Sequence, residues 1–223
     1  MLLTDDKIDV IVIGAHPDDA EIGAGGFLLS AKNNGYSTGI ISISDGSAGV
    51  YGNSIQRLQE AENAAAVLKI DILQFLEMQD LNINFETTVQ KLENILVSLR
   101  PRLILTHCSE DWHPDHRQVW KMVDMAWALA ARISRHGKDH IERPRIIHFS
   151  TDILRTHKPD ILIDISPYAE EKQQALLCHV SQREIVKNIL DFNALWGSAI
   201  RTLYAEPFFT YEPLILNSSL GLL

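Results

Sequence analysis

The sequence predicts an α/β protein in which a mostly parallel sheet is covered by helices on both faces. Short, continuously apolar runs alternate along the chain with longer segments of helical period. A strand that is apolar throughout is typical of a parallel sheet that is buried on both sides. Gly35, Gly46, Gly49 and Pro101 stand between these segments, where the chain must turn.

The predicted strands are apolar runs rich in isoleucine, valine and leucine, and each is short enough to cross a sheet once. The first is an isoleucine–valine run that ends at Gly14. In chain order, the six predicted strands cover residues 8–13, 39–44, 72–76, 102–106, 146–149 and 161–165. Because helical segments separate most of them, we expect parallel neighbours joined by crossover helices.

The predicted helices are longer segments in which apolar residues recur at helical spacing. The fourth carries a clear apolar stripe, and its Trp120 and Trp127 indicate packing in the core or against another subunit. In chain order, the six predicted helices cover residues 25–33, 55–68, 87–99, 116–133, 169–178 and 183–195. Residues 134–144 are polar and are predicted to form a loop.

Length, charge and cysteine content exclude several classes of protein. The 223 residues can form one domain, residues 1–223, with a full core. A formal net charge of −9 argues against a nucleic-acid partner, which would need a basic face. Cys108 and Cys178 are the only cysteines, which excludes a disulfide framework and fits a reducing compartment. Residues 1–10 lack the basic start of a signal peptide and no apolar run is long enough to span a membrane, so we expect a cytoplasmic protein without a membrane partner.

Two short stretches rich in aspartate and histidine follow predicted strands. Residues 14–19 read Gly-Ala-His-Pro-Asp-Asp, and residues 111–116 read Asp-Trp-His-Pro-Asp-His. Packing does not explain them, because burying such groups without partners is costly. In an open α/β sheet, ligands bind outside the carboxyl ends of the strands. We therefore predict a divalent metal site held between the two stretches.

The side chains of these stretches divide into metal ligands and groups for proton transfer. His16, Asp19 and His116 make a set of two histidines and one carboxylate, which leaves a coordination position open for water. A bound divalent ion lowers the pKa of such a water towards about 7. Asp18 could then act as the general base. His113 could stabilise an oxyanion or donate a proton to a leaving amine.

Several of these residues also allow a second interpretation. Asp115 could orient or charge His113, as a carboxylate does for a catalytic imidazole, or it could cap the helix predicted to begin at residue 116. Asp18 or Asp19 could likewise cap a helix. A single His-x-x-His spacing also occurs by chance, so the prediction depends on finding both stretches after strands.

The roles of three further residues stay open. His107 could orient a metal ligand or simply pack. Cys108 could be a ligand or nucleophile, although a small buried thiol is commoner. His179 could lie near the site or be an ordinary hydrogen-bonded histidine. Trp112, which lies within the second stretch, is the best candidate for stacking on the face of a sugar.

These stretches resemble the two signatures of the LmbE/PIG-L family of zinc-dependent de-N-acetylases. The first signature is Ala-His-Pro-Asp-Asp-Ala-Glu-Ile-Gly at residues 15–23, and the second is His-Pro-Asp-His at residues 113–116. Arg57-x-x-Glu60 is similar to a further family segment, and the resemblance extends over residues 8–211. It implies a three-layer Rossmann-like fold with the metal site at the C-terminal ends of the strands.

The site that this resemblance implies agrees with the roles inferred from the residue types. The family's metal ligands fall on His16, Asp19 and His116. Its general base falls on Asp18, and the histidine that supports the tetrahedral intermediate falls on His113, beside Asp115. Arg57 matches an arginine that binds substrate in bacillithiol-pathway members.

Residues 156–166 are most similar to the bacillithiol branch, whose enzymes deacetylate N-acetylglucosaminyl malate. Trp112 stands where members of that branch often carry arginine. We therefore predict hydrolysis of the N-acetyl group of an N-acetylglucosamine-type conjugate, which releases acetate and a free amine. N-acetylglucosaminyl malate is one candidate, and another N-acetylated glycoside or a small amide is the alternative.

Two other functions, the identity of the metal and the state of assembly remain to be tested. A metal-dependent phosphoesterase would need more bridging carboxylates for two metals than the sequence places. A binding module on the same scaffold would not need a base or an acid. Histidine–carboxylate ligation suits zinc and iron(II) alike. The resemblance also implies a homo-oligomer, a trimer or hexamer, with a small amino sugar as its ligand.

Overall fold

The computed structural model describes residues 7–49, 51–152 and 158–212. Residues 1–6 and the first two residues of the 156–166 stretch lie outside the described residues. The main strands are β1 (Val10–Gly14), β2 (Thr38–Ser44), β3 (Ile72–Met78), β4 (Leu103–His107) and β5 (Arg145–Phe149). They form one sheet in the order β3-β2-β1-β4-β5, and every neighbouring pair is parallel. The predicted α/β class and the first five predicted strands are confirmed.

The helices lie between and after these strands. They are α1 (Asp19–Asn33), α2 (Ser54–Val67), α3 (Phe85–Leu99), α4 (Pro114–Ala130), α5 (Ile133–His136), α6 (Ala169–Cys178), α7 (Arg183–Val186) and α8 (Ile189–Ile200). The single helix predicted over 183–195 is wrong, because α7 and α8 are separate. Val186, Ile189, Asn193 and Gly197 are all buried and keep helical spacing across the break, so periodicity could not reveal it.

Two hydrophobic cores lie on opposite faces of the sheet. Ile11 and Ile13 of β1 belong to the core that α3 and α4 cover, and Val10 and Val12 belong to the core that α1, α2 and α6 cover. This division follows from the period of two along a strand. Because β1 is central and covered on both faces, it is buried along its whole length. The residues that follow β1 therefore begin inside the molecule.

The sixth predicted strand does not join the main sheet. β6 (Ile161–Asp164) pairs antiparallel with β7 (Ala205–Phe208) in a separate two-stranded sheet. The sequence did not predict β7, because its four residues include Glu206 and Pro207 and show no apolar run. The predicted loop over 134–144 also contains part of α5, whose single turn shows too little periodicity to be predicted.

Helix α1 is kinked where it passes the small sheet. Ala24 has non-helical backbone angles (φ −146°, ψ 15°), and the amides of Gly26 and Phe27 beyond it donate to the carboxylate of Glu206 at 2.7 and 2.8 Å. Lys172 of α6 donates to Glu206 at 2.6 Å and to the Ile22 carbonyl at 3.0 Å. The kink frees backbone groups that a helix would pair, and this buried ion pair satisfies them.

Glycines let α1 approach the rest of the fold closely. A Cβ atom on Gly23 would lie 2.2 Å from the ring of Phe149, and one on Gly26 would lie 2.6 Å from Ile165. The absence of side chains at Gly23 and Gly26 therefore lets α1 pack directly against Phe149 of β5 and Ile165 after β6. Among the described residues, no helix combines the length and apolar character that a membrane crossing requires.

Candidate metal centre and active site

The two aspartate–histidine stretches lie side by side at one edge of the sheet. β1 and β4 are parallel neighbours, with Ile13 opposite Thr106, so their carboxyl ends meet. Residues 15–19 leave β1 and enter α1, and residues 108–113 connect β4 to α4. The sheet therefore brings together side chains that are about a hundred residues apart in sequence, as a parallel neighbour pair requires.

The three predicted metal ligands converge on one point. His16 Nδ1 lies 3.1 Å from His116 Nε2 and 3.4 Å from Asp19 Oδ2, and His116 Nε2 lies 3.5 Å from Asp19 Oδ1. In a tetrahedral zinc site with bonds of about 2.0–2.1 Å, donor atoms lie about 3.3 Å apart. Asp19 presents Oδ2 to His16 and Oδ1 to His116, and the donor types and distances are compatible with a divalent ion at these three residues. The structure also brings together two further groups that suit an ion, Asp19 with His107 and His116, and His16 with His113 and His116.

The other nitrogen of His16 contacts carboxylates. His16 Nε2 lies 3.1 Å from Asp80 Oδ1 and 3.7 Å from Asp115 Oδ2. The second oxygen of Asp80 accepts the Ala48 amide at 3.1 Å, which fixes the carboxylate. Such a carboxylate orients a ligand histidine and selects its tautomer. The sequence reasoning missed Asp80, although the residue shortly follows the third predicted strand and so leaves the same edge of the sheet.

His116 has an equivalent support on its far nitrogen. His116 Nδ1 lies 3.1 Å from Asp111 Oδ2 and 3.3 Å from Thr151 Oγ1. The ring of His107 stacks on that of His116, with centroids 3.9 Å apart, and its Nε2 lies 3.0 Å from Asp19 Oδ2. His107 is therefore in contact with two predicted ligands, which favours the orienting role over simple packing.

The Asp18 side chain lines the same site and is paired with Arg57. Arg57 Nη2 donates to Asp18 Oδ1 at 3.1 Å, and Arg57 Nη1 donates to the Gly46 carbonyl at 2.8 Å. Gly46 has a φ of +65°, and a Cβ there would lie 2.5 Å from the guanidinium. Arg57 and Asp18 are both buried, and both line the same cavity. The predicted base and the predicted substrate-binding arginine thus form one pair.

A buried polar network holds α2 against the segment after α6. Glu60 of α2 accepts the Ser181 amide at 2.9 Å and the Ser181 hydroxyl at 2.6 Å.

His179 Nε2 lies 3.5 Å from Glu21 Oε2. Burial acts to lower the pKa of His179, but Glu21 and the more distant carboxylates raise it. His179 therefore lies beside the site, where it contacts Glu21 rather than the predicted metal ligands.

His113 lies over the predicted ligands with one nitrogen already engaged. Its ring centroid is 4.8 Å from that of His16 and 4.6 Å from that of His116. His113 Nδ1 accepts the Asp115 amide at 3.3 Å, so a neutral His113 carries its proton on Nε2. Burial first, and then the charges of His116 and His16, lower the pKa of His113.

The structure relates Asp115 to His113 differently from the expectation. The hydrogen bond between them runs through the Asp115 backbone amide, and the carboxylate accepts the Leu81 amide at 2.9 Å instead. The same carboxylate is the one near His16 Nε2. Its position within the first turn of α4 brings it to the Leu81 amide after β3, while its charge still acts to raise the pKa of His113.

The capping interpretation of the aspartates holds only for the position of Asp18 and not for any carboxylate. Asp18 occupies the N-cap position of α1, but its side chain makes no capping hydrogen bond. Asp19 Oδ2 instead accepts the His16 amide at 2.7 Å, outside the helix. The N-cap residue of α4 is His113, with Pro114 in the first turn where proline is favoured. The carboxylates of Asp18, Asp19 and Asp115 make their hydrogen bonds within the site instead.

Electrostatics in the cluster favour charged carboxylates. Burial acts to raise the pKa of Asp19, but His116, His107 and His16 hold it well below its usual range. Burial also acts to lower the pKa of His16, but Asp19 and other carboxylates raise it well above its usual range. The pKa of Asp80 falls to about 2 against the effect of burial, chiefly through His16. Burial and then His116 lower the pKa of His107 to about 4, so His107 is neutral.

An open cavity of about 330 Å³ lies above these side chains. That volume is within the range of about 300–1,000 Å³ found for small-molecule sites. Its base includes the predicted ligands, Asp18 and His113, and its mouth includes Trp112. Cys108 is not among its lining residues, and burial followed by the charge of Asp111 raises the thiol's pKa to about 11. Cys108 is therefore a protonated, buried thiol and a poor ligand or nucleophile.

Comparison with known proteins gives a consistent result. Residues 11–127 match the family described as PIG-L, GlcNAc-PI de-N-acetylase. The chain is 28% identical over 209 residues to a diacetylchitobiose deacetylase of Thermococcus kodakarensis, and this match covers 87% of this chain and 75% of that protein. It is also 28% identical over 226 residues to a probable N-acetyl-alpha-D-glucosaminyl L-malate deacetylase 2 of Bacillus cereus, and this match covers 91% of this chain and 97% of that protein.

The fold is shared with solved structures over nearly the whole chain. The conserved protein TT1542 from Thermus thermophilus is similar with a TM-score of 0.85 and 29% identity. The match covers 93% of this chain and 96% of that one. The three-layer arrangement predicted from the two stretches is therefore observed here and in a homologous structure.

Proposed function

The chain belongs to the PIG-L family of de-N-acetylases, and on that premise we propose that it removes the acetyl group from an N-acetylglucosamine conjugate, with a divalent metal ion at His16, Asp19 and His116. The family match and both relatives support a deacetylase of N-acetylated sugars. Zinc as the native metal, with iron(II) as the alternative, is part of the proposal.

The observation that carries this proposal is that some side chains at the base of the cavity can bind a metal ion while others remain for proton transfer. His16 Nδ1 and His116 Nε2 lie 3.1 Å apart and each lies within 3.5 Å of one oxygen of Asp19, while Asp18 and His113 face the same cavity without being needed as ligands. A site that only bound metal would need neither an extra carboxylate nor an extra imidazole. Hydrolysis needs both, because a proton must leave the attacking water and negative charge develops on the acetyl oxygen.

When bound, a divalent ion at these residues would polarise the acetyl carbonyl and lower the pKa of a water molecule. Asp18 accepts the proton of the attacking water, and Arg57 holds the Asp18 carboxylate at the cavity. His113 Nε2–H donates to the acetyl oxygen as negative charge develops on it. Asp18 then returns its proton to the nitrogen, so that acetate and a free amine leave.

Release of acetate from N-acetylglucosamine conjugates tests the proposal directly. Asp18→Asn should keep the metal and lower kcat by about 10²–10⁴-fold, the usual contribution of a general base. Asp71→Asn is the matched control, because Asp71 pairs with Lys32 at the surface and does not line the cavity. Wild-type turnover in Asp18→Asn would remove the base from its proposed role.

The same assay separates the rival functions. A phosphoesterase would release phosphate and bind two metal ions per chain, which elemental analysis counts. A binding module would hold the conjugate without releasing acetate. The substrate itself stays a proposal, because the two relatives carry names with different substrates.

We also propose a cytoplasmic homo-oligomer, a trimer or hexamer, formed from a single domain of residues 1–223. The free state of Cys108 and Cys178 agrees with a reducing compartment. Light scattering of the purified chain measures the mass, and a monomer would contradict the oligomer.

A further inference from the structure

The loop between β4 and α4 carries a carboxylate that supports two histidines. Residues 108–113 form this loop, and Asp111 lies buried within it. Asp111 Oδ1 accepts the His113 amide at 2.9 Å, and Asp111 Oδ2 lies 3.1 Å from His116 Nδ1. With Nδ1 held there, the His116 ring turns Nε2 towards His16 and Asp19. The orientation of a predicted metal ligand therefore depends on where this loop lies.

Contacts from two different parts of the fold hold the β4–α4 loop. Arg117 Nη1 donates to the carbonyls of Asp111 and Trp112 at 2.7 and 2.6 Å. Arg117 belongs to α4, so this contact ties the loop to the helix that follows it. Tyr211 lies about a hundred residues further along the chain, and its Oη accepts the Ser109 amide at 2.8 Å and lies 2.8 Å from Ser109 Oγ.

Tyr211 is itself attached to the outer strand of the main sheet. The His148 amide of β5 donates to the Phe209 carbonyl at 2.9 Å, and the Phe209 amide donates to the His148 carbonyl at 2.8 Å. The centroid of the Tyr211 ring lies 4.5 Å from that of His148 and 6.1 Å from that of Trp120. The segment after β7 therefore lies along the edge of β5, and Tyr211 joins that edge to the loop.

Tyr211 and His148 are neutral groups, so they act on the site by position and not by charge. Burial, only partly offset by the Ser109 hydrogen bonds, raises the pKa of Tyr211, and the phenol is protonated at neutral pH. Burial lowers the pKa of His148, whose Nδ1 donates to the His107 carbonyl at 2.9 Å. Both ring systems thus contact the end of β4, where the loop begins.

We propose, on the premise of the metal-dependent function above, that Tyr211 is a positioning residue for the metal centre. Its phenolic oxygen holds Ser109 in place, and the loop then holds Asp111 against His116. Tyr211 is not among the described residues that line the active-site cavity, so it acts through Asp111. Without that oxygen the loop takes more conformations, and metal binding must order them at a cost in affinity.

The test compares the Zn²⁺ affinity of variants, measured on the metal-free chain by competition with a chelating dye. Tyr211→Phe removes the oxygen and keeps the ring, and it should lower the affinity about three- to tenfold, the worth of the hydrogen bonds that it loses. Tyr168→Phe is the matched control, because its oxygen also accepts a hydrogen bond, from Asn33 Nδ2 at 3.3 Å, but at the far end of α1. That variant should keep the wild-type affinity.

A double-mutant cycle separates positioning from general support of the fold. Asp111→Asn should lower the Zn²⁺ affinity about 10–100-fold, as the loss of a carboxylate that orients a ligand histidine does. Adding Tyr211→Phe to that variant should lower it by less than about twofold more, because both changes act on the same contact. An equal effect of Tyr211→Phe in both backgrounds would overturn the inference.

Hydrogen exchange of the metal-free chain gives a measurement that does not depend on metal. Peptides that cover residues 108–113 should exchange faster in Tyr211→Phe than in wild type or Tyr168→Phe, because the Ser109 amide loses its acceptor. Unchanged exchange or unchanged Zn²⁺ affinity in Tyr211→Phe would overturn the inference and leave the proposed function intact. A wild-type chain that binds Zn²⁺ but releases no acetate would overturn the deacetylase alone, and one that binds no Zn²⁺ would overturn both.

Discussion

Two buried clusters of charge differ in how their polar atoms are satisfied. At the kink of α1, both Glu206 oxygens accept backbone amides, and Lys172 donates to Glu206 and to the Ile22 carbonyl. At the ends of β1 and β4, carboxylates and imidazoles face one another and an open cavity. Within the described residues, Asp115 Oδ1 and His107 Nδ1 are buried without a hydrogen-bond partner.

The difference separates a structural charge pair from a functional cluster. Lys172 and Glu206 are fully buried and balance each other, so nothing is left over for a ligand. In the strand-end cluster the neighbouring histidines lower the pKa values of Asp19 and Asp80, and a divalent cation bound there would take over that role. Removing a charge should therefore damage stability in the first cluster and chemistry in the second.

His116→Ala should have the largest effect, because it removes a proposed metal ligand. We expect the variant to lose its metal and turnover to fall by about a thousandfold or more, since the ion contributes several kcal/mol to the transition state. Elemental analysis after dialysis and acetate release measure the two effects. His140→Ala is the control, because the His140 ring does not line the cavity and contacts the Gly137 carbonyl. One metal ion per chain in His116→Ala would contradict the assignment.

Lys172→Ala should cost the most stability. It leaves the Glu206 carboxylate buried without its cation, which lowers the free energy of unfolding by about 3–5 kcal/mol. Urea denaturation measures this, and the metal content of the folded fraction should not change. Lys32→Ala removes an exposed lysine that pairs with Asp71, so it should cost below about 1 kcal/mol. Equal effects of the two substitutions would erase the distinction between the clusters.

Asp80→Asn should weaken metal binding without abolishing it. Loss of a carboxylate that orients a ligand histidine typically costs about 10–100-fold in metal affinity. A competition titration with a chelating dye measures the affinity. Asp139→Asn, at an exposed carboxylate outside the site, should leave it unchanged. An unchanged affinity in Asp80→Asn would mean that the charge of Asp80 does not support His16 as a ligand.

Glu93→Gln should have the smallest effect and a defined pH dependence. Glu93 accepts Arg135 Nε and Nη2 at 2.7 and 2.8 Å. Burial acts to raise the pKa of Glu93, but Arg135 and His136 bring it below 4.5. Its stabilisation is therefore complete above pH 4.5 and is lost as the pH falls through the folded pKa.

At pH 7, Glu93→Gln should lower the free energy of unfolding by less than about 1 kcal/mol, because Arg135 is half exposed. Urea denaturation from pH 7 down to pH 3 measures the difference from wild type. That difference should shrink below pH 4.5. A constant difference over the whole range would show that ionisation of Glu93 does not stabilise the fold.

The strand-end site was largely predictable because local pattern and topology agree. The apolar run before His16 predicts a buried strand, and parallel strands bring their carboxyl ends to one edge. Asp80 could have been found by extending that logic to the third strand. The contact of the Asp115 carboxylate with Leu81 could not, because it depends on which way the first turn of α4 faces.

The kink cluster was not predictable, because nothing local marks it. Lys172 lies on a helix where a lysine normally indicates a solvated face, yet it is fully buried. Glu206 is 34 residues away, in a strand of four residues without an apolar pattern. These two charges pair only because α6, β7 and the kink of α1 come together in the fold.

The left-handed backbone at Leu81 also has a consequence for laboratory evolution. A library screened only for survival at high temperature would enrich Leu81→Gly, because glycine relieves the strain at a φ of +60°. The selected variants would gain stability and lose a large apolar side chain that lines the cavity. Position 81 is thus a place where selection for stability alone would change the wall of the cavity.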